Sequence, residues 1–299
     1  MDMFDETQND ESQAVVPIDE NLGVLSSEQK SFYGLTNGRA PGSLSQNGLA
    51  RIAAGRSAKP ESSPFALEET SAFRKALRKL GQTATIDPDR IDPHLFTLQE
   101  LPSPQAELQY RRLAVNLITA SARHQIKRIL IASAHHAEGR TSVMLNLAGS
   151  LARAKLRVLV IDSDFSRPSV MRLLGLDSKV GIAEVFTSDR HISEASVTLR
   201  PLGITALVTR EAIDNPAEIL ASSEFHEMLN LLEPEFDFVL FDSPPLIDSA
   251  DANLMTRIVD TTLMVVRPNT TTPSQMRKAI SLFSKEDISG VVINRVTRN

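Results

Sequence analysis

From about residue 103 the chain alternates between two kinds of segment. Runs of nearly continuous apolar residues, ILIAS, VLVID, FVLFD, TLMVV and VVIN, are separated by helix-like stretches. Short apolar runs of this kind fit strands buried on both faces of a parallel sheet. The strands predicted are Arg128–Ala134, Arg157–Asp162, Ile204–Thr209, Phe236–Asp242, Thr262–Arg267 and Gly290–Val296. Pro104 is suited to the first turn of a helix running through Glu107, Tyr110, Arg111 and Leu117. Further helices are predicted at Arg140–Lys155, Ser223–Leu232, Ala252–Ile258 and Pro273–Ser284. The pattern predicts one α/β domain over 101–299, a parallel sheet with helices on both faces.

The first hundred residues lack this rhythm. Gly34 to Pro64 is rich in Gly, Ser, Asn, Ala and Pro, too poor in large apolar groups to offset its ordering entropy. Residues 1–100 are therefore predicted to be a mostly disordered arm. One island, Leu67 to Leu80, spaces Phe73, Leu77 and Leu80 like a short amphipathic helix. Asp87 to His94 (DPDRIDPH) reads as an extended linker.

Charge sharpens the division. The arm carries 15 acidic and 10 basic residues, whereas the remaining 22 of each sign cancel. A net charge of −5 gives no basis for bulk nucleic-acid binding. With no cysteine, disulfides, zinc–thiolate sites and thiol catalysis are excluded for this chain. No apolar run approaches the ~18 residues that span a bilayer, and the acidic start is unlike a secretory signal. A cytoplasmic protein is expected, reaching the inner face of the cytoplasmic membrane only through a partner.

Ligands of open α/β sheets sit beyond the carboxyl ends of the strands. The first predicted domain strand runs into Ser133-Ala134-His135-His136-Ala137-Glu138-Gly139-Arg140-Thr141-Ser142 and then a helix. This is the place of a phosphate-binding loop, whose backbone N–H groups and helix N-terminus cradle phosphate oxygens. A plain strand-to-helix turn explains the segment equally well when it is taken alone. The second strand ends in Asp162-Ser163-Asp164, followed by Arg167-Pro168-Ser169. Two carboxylates at i, i+2 suit Mg²⁺, although one of them could instead cap the next helix. The third, Phe238-Val239-Leu240-Phe241-Asp242, looks like a Walker B strand. Three such sites in the right order weigh more than any one.

The motifs SAHHAEGRTS, IDSDFSRPS, MRLLGL, GIAEVF, NPAEIL, FDFVLFDSPP and GVVIN occur in that order. The succession resembles the bacterial tyrosine kinases (BY-kinases) of capsule and exopolysaccharide export, within the ParA/MinD-type P-loop ATPases. The resemblance covers about residues 103 to 297 and implies a P-loop NTPase fold. It implies that Ala137, Glu138, Gly139, Arg140, Thr141 and Ser142 face the phosphates of ATP or ADP, with Arg167 nearby. Thr141, Asp162 and Asp242 would hold Mg²⁺. Asp162, Asp164 and Asp242 would be the catalytic carboxylates, and Asn294 would lie where the class contacts adenine.

The departures point the other way. Arg140 stands where the family has its phosphate-binding lysine, and a forked guanidinium is not equivalent to a compact ammonium. The family's Pro-Gly is His136-Ala137, so a Cβ is present where close approach or φ > 0 is expected. Family members end in a tyrosine cluster, whereas this sequence has only Tyr33 and Tyr110. The helix motif of ring assembly is altered: Glu107 is displaced, Arg111 remains and Ala114 replaces the second arginine. His135 and His136 could serve phosphate or merely fill the loop.

The resemblance and its departures together imply a kinase-like nucleotide-binding regulator of polysaccharide synthesis and export, with weak or no tyrosine kinase activity. Its expected partner is an inner-membrane polysaccharide co-polymerase, and a homo-oligomer is a further expectation. The competing readings are an active ATP-dependent protein-tyrosine kinase or ATPase of the same pathway and a ParA/MinD-type positioning ATPase.

Overall fold

The five apolar runs form the middle of one sheet. The computed structural model describes residues 87–297, except 88, 96, 99–103, 189, 201, 269 and 284–286, together with the backbone of two earlier strands. In chain order the elements are β1 (Glu11–Pro17), β2 (Gln82–Thr85), α1 (Pro104–His124), β3 (Arg128–Ser133), α2 (Arg140–Arg153) and β4 (Val158–Asp162). Then come α3 (Val170–Leu173), α4 (Ile182–Thr187), α5 (Ile192–Ala195), β5 (Ser196–Arg200) and β6 (Ile204–Leu207). The remainder is α6 (Pro216–Ala221), α7 (Ser223–Leu232), β7 (Phe238–Asp242), α8 (Ala252–Met255), β8 (Thr261–Val266), α9 (Pro273–Ile280) and β9 (Ile288–Thr297).

The strand order is β1-β9-β8-β3-β7-β4-β6-β5-β2. The block from β9 to β6 is parallel throughout, while β1 on β9 and β5 on β6 run antiparallel. Alternate side chains of each strand go to opposite faces. Ile129, Ile131, Val158, Val160 and Leu240 pack under Leu113 and Leu117 of α1 and Val143, Leu147 and Leu151 of α2. Leu130, Leu159, Ile161, Phe241 and Met264 pack under Phe225 and Leu229 of α7, Met255 of α8 and Met276 of α9. Burial on both faces explains why these strands read as unbroken apolar runs.

The α/β expectation holds, a mostly parallel sheet covered by helices on both sides. Several boundaries differ. The predicted helices at 140, 252 and 273 stop early, at Arg153, Met255 and Ile280. The polar strand β5 and the short helices α3 to α6 were not predicted. Within the arm, β1 lies along β9 and β2 along β5; the helix expected at 67–80 lies outside the described residues.

The expected extended linker is instead a folded strap. Asp87 and Asp92 each accept a backbone N–H two residues on, from Asp89 and His94. These are Asx turns, which Asp favours because its carboxylate imitates a turn carbonyl. The strap buries Ile91, Leu95 and Leu98 in the core beside α1 and α2. No helix among the described residues is long and apolar enough to cross a membrane.

Candidate functional site

The carboxyl ends of β3, β4 and β7 bring the predicted loops together. Between β3 and α2 the chain turns through Ala137 at φ +60° and Gly139 at φ +91°. Gly139 has no alternative, because a Cβ there would lie 2.0 Å from the Asn294 amide nitrogen. That amide donates to the Glu138 carbonyl at 2.8 Å. The Glu138 side chain is buried beneath the loop, accepting from the Ala134 N–H at 3.0 Å and from the Thr271 hydroxyl. Glu138 and Asn294 therefore hold the loop from below. Asn294 does not line the cleft in front of it.

That cleft has a volume of about 310 Å³, at the lower end of ligand pockets. Its lining includes Ala137, Gly139, Arg140, Thr141, Ser142, Asp164 and Arg167 from the predicted set. It also includes Asp92 and His94 from the strap, His136, Ser169 and Arg172. Sequence reasoning missed Asp92, His94 and Arg172 as site residues. Arg172 lay within the recognised MRLLGL segment, but nothing in the sequence shows the strap folding back some fifty residues along the chain onto α2.

Asp162 and Asp242 are register partners at the ends of adjacent strands. Thr141 donates to Asp242 Oδ2 at 2.5 Å and meets the Ser169 hydroxyl at 2.9 Å. Asp162 Oδ2 accepts the N–H groups of Ser169 and Val170, both at 3.0 Å. The other oxygen of each aspartate is buried without a partner. Burial, and then the nearby Asp242, push the Asp162 carboxyl well above the ordinary carboxylate range. Burial likewise pushes Asp242 to about 7, against the opposing pull of Arg140 and Thr141.

Two unsatisfied buried carboxylate oxygens beside a hydroxyl are what a divalent cation would relieve. Among the described residues no three His, Asp or Glu side chains group closely enough to hold a metal alone. In a P-loop arrangement magnesium takes most of its ligands from water and phosphate. Thr141, Asp162 and Asp242 fit that role.

Arg140 behaves differently from a phosphate-binding lysine. Its guanidinium folds back beneath the loop and donates to Ser133 Oγ at 2.7 Å and to the His135 carbonyl at 3.0 Å. It also pairs with Asp164 Oδ2 at 3.1 Å, the two side chains only 7% and 5% exposed. Burial still raises the Asp164 carboxyl, outweighing the stabilisation that Arg140 gives its charge. His135 pairs with Asp248 at 3.1 Å. His136 lines the cleft, its pKa lowered by burial and then by Arg167 and Arg140.

A family model described as ParA: NUBPL iron-transfer P-loop NTPase matches residues 125–297. The chain belongs to the ParA family of P-loop NTPases. The curated proteins it is similar to include bacterial tyrosine kinases. The putative tyrosine-protein kinase CapB of Staphylococcus aureus is 26% identical over 201 residues, 67% of this chain and 88% of its own length. The tyrosine-protein kinase YwqD of Bacillus subtilis is 28% identical over 207 residues, 69% of this chain and 87% of its own. The crystal structure of the chimerical protein CapA2B2 superposes with a TM-score of 0.65 at 21% identity, covering 75% of this chain and 98% of that one. That likeness shows a shared fold.

Proposed function

We propose that this chain is a kinase-like, nucleotide-binding regulator of exopolysaccharide or capsule synthesis, with weak or no tyrosine kinase activity. The observation that carries the proposal is the buried Arg140–Asp164 pair. A cation that should meet phosphate is committed to a carboxylate, and a carboxylate that should face an acceptor hydroxyl is committed to a cation. Positioned charge is most of what phosphoryl transfer needs from a protein. The kinase names of CapB and YwqD support the kinase-like part of the proposal.

The cleft would hold ATP or ADP at the loop 137–142 with Arg167, and Thr141, Asp162 and Asp242 would hold Mg²⁺. Asn294 would act by fixing the loop. Tyr110 is 1% exposed within α1, so it is a poor phosphate acceptor in the folded chain. The family description names iron transfer, but this chain has no cysteine thiolate to offer iron. A membrane-bound co-polymerase is the proposed partner, placing the protein at the inner face of the cytoplasmic membrane, with the arm 1–100 as the recruiting part. Recovery of a partner that is unchanged after deletion of the arm rejects that last point.

A second reading, an active kinase or ATPase, draws on the Thr141–Asp242–Asp162 arrangement, which is intact. Calorimetric titration with Mg·ATP and Mg·ADP tests the nucleotide proposal. The wild-type chain should bind, and Arg140→Lys should bind about tenfold tighter or better as a charge-assisted phosphate contact is regained. No binding by either chain rejects it.

A further inference from the structure

The strap is seated on the P-loop helix by contacts that leave little freedom. Asn146 of α2 is fully buried, and its side chain accepts the Thr97 N–H at 2.9 Å and donates to the His94 carbonyl at 2.8 Å. The Thr97 hydroxyl returns a bond to the Asn146 carbonyl at 2.8 Å, and Arg153 donates to the Thr97 carbonyl. The Asp92 N–H donates to the Leu173 carbonyl at 2.9 Å. Two glycines make room for the strap. A Cβ on Gly149 would lie 2.3 Å from Thr97 Oγ1, and one on Gly175 would lie 2.7 Å from the Arg90 carbonyl oxygen.

This docking delivers Asp92 and His94 to the lining of the cleft, which they share with the P-loop residues and Arg172. Asp92 Oδ1 engages His94 twice, at the backbone N–H (2.9 Å) and at ring Nδ1 (3.0 Å). The imidazole is thereby oriented, with Nε2 on the side opposite Asp92. Arg172 is exposed and lines the same cleft, and among the described residues no carboxylate pairs with it. Because Arg140 is committed to Asp164, the cations the cleft can present to an anion include Arg167 and Arg172.

We propose that His94, oriented by Asp92, and Arg172 form a second phosphate-binding wall of the cleft, supplying to a nucleotide's phosphates the contacts that Arg140 withholds. This rests on the nucleotide-binding reading above. His94 belongs to a segment ahead of the domain, so the arm and the nucleotide meet at this wall.

The test is calorimetric titration of the full chain with Mg·ADP, for wild type, His94→Ala and Arg172→Ala, with thermal melting of each apo protein as the folding control. Both residues are exposed, so the apo melting temperatures should match. Each variant should bind Mg·ADP about tenfold more weakly or worse, as expected for a lost charge-assisted contact. Wild-type binding with both variants unchanged overturns this inference and leaves the nucleotide reading standing. Absence of binding by wild type overturns both.

Discussion

Arg140 is buried in a pair with Asp164, and Ala137 of the same loop holds a left-handed conformation. The Arg140–Asp164 pair is buried, so removing one partner strands the other's charge, a loss of about 3–5 kcal/mol. Asp164→Asn should therefore lower the apo protein's stability in urea. It should do so much less in an Arg140→Met background, the signature of direct coupling in a double-mutant cycle. Equal effects in both backgrounds would mean that the pair is not what holds Arg140. Ala137 sits at φ +60°, a conformation that costs an L-residue about 1–2 kcal/mol. Ala→Gly usually destabilises; at position 137 the relieved strain offsets the added chain entropy. Ala137→Gly should thus leave the melting temperature unchanged or raise it. A clear fall would show that the loop carries no such strain.

The sequence showed these residue types but not their commitments. Asp162, Asp164 and Asp242 were legible because each lies at or just past the end of an apolar run, and Arg140 because it opens the helix that follows one. That the Arg140 fork turns inward to Ser133, His135 and Asp164 is a matter of side-chain conformation, which spacing does not encode.

At the scale of elements, β3, β4, β7, β8 and β9 were readable because both faces of each are covered. β5 (SVTLR) is short and half polar, and α6 (PAEILA) is a helix of six residues, so neither gives a periodic signal. The strap departs from the extended reading for a physical reason: its Asp–Pro steps suit an extended chain, but their carboxylates close Asx turns. Its docking makes two predictions. Gly→Ala within a helix ordinarily stabilises by about 1 kcal/mol, yet Gly149→Ala should destabilise by about 1–3 kcal/mol because the new Cβ meets Thr97 and Leu98. Asn146→Ala should cost about 1–3 kcal/mol by leaving the buried Thr97 N–H unpaired, and should increase proteolysis near residue 95. A stabilising Gly149→Ala, measured by urea unfolding, would contradict the close docking.

For the whole molecule, charge and edges matter more than single contacts. The arm holds the excess acid, yet it also supplies β1, which covers β9 at one sheet edge. Deleting residues 1–17 should remove the hydrogen-exchange protection of the β9 amides that face β1, and unchanged protection would argue against the β1–β9 pairing. Asp237, bonded to Arg157 between β7 and β4, has its pKa lowered first by that bond. A depressed carboxyl stabilises the fold above its unfolded pKa near 4, and that contribution is lost as pH falls through the lower folded value. The pair is partly exposed, so Asp237→Asn should cost no more than about 1 kcal/mol at pH 7 and should flatten the acid limb of the stability curve below pH ~4.

We propose a site that holds a nucleotide without passing on its phosphate. The direct measurement is incorporation of labelled phosphate on tyrosine when the purified full chain is incubated with saturating Mg·ATP. The account predicts no incorporation above that of an Asp162→Ala control. Robust, Mg²⁺-dependent tyrosine phosphorylation that Asp162→Ala abolishes would contradict it.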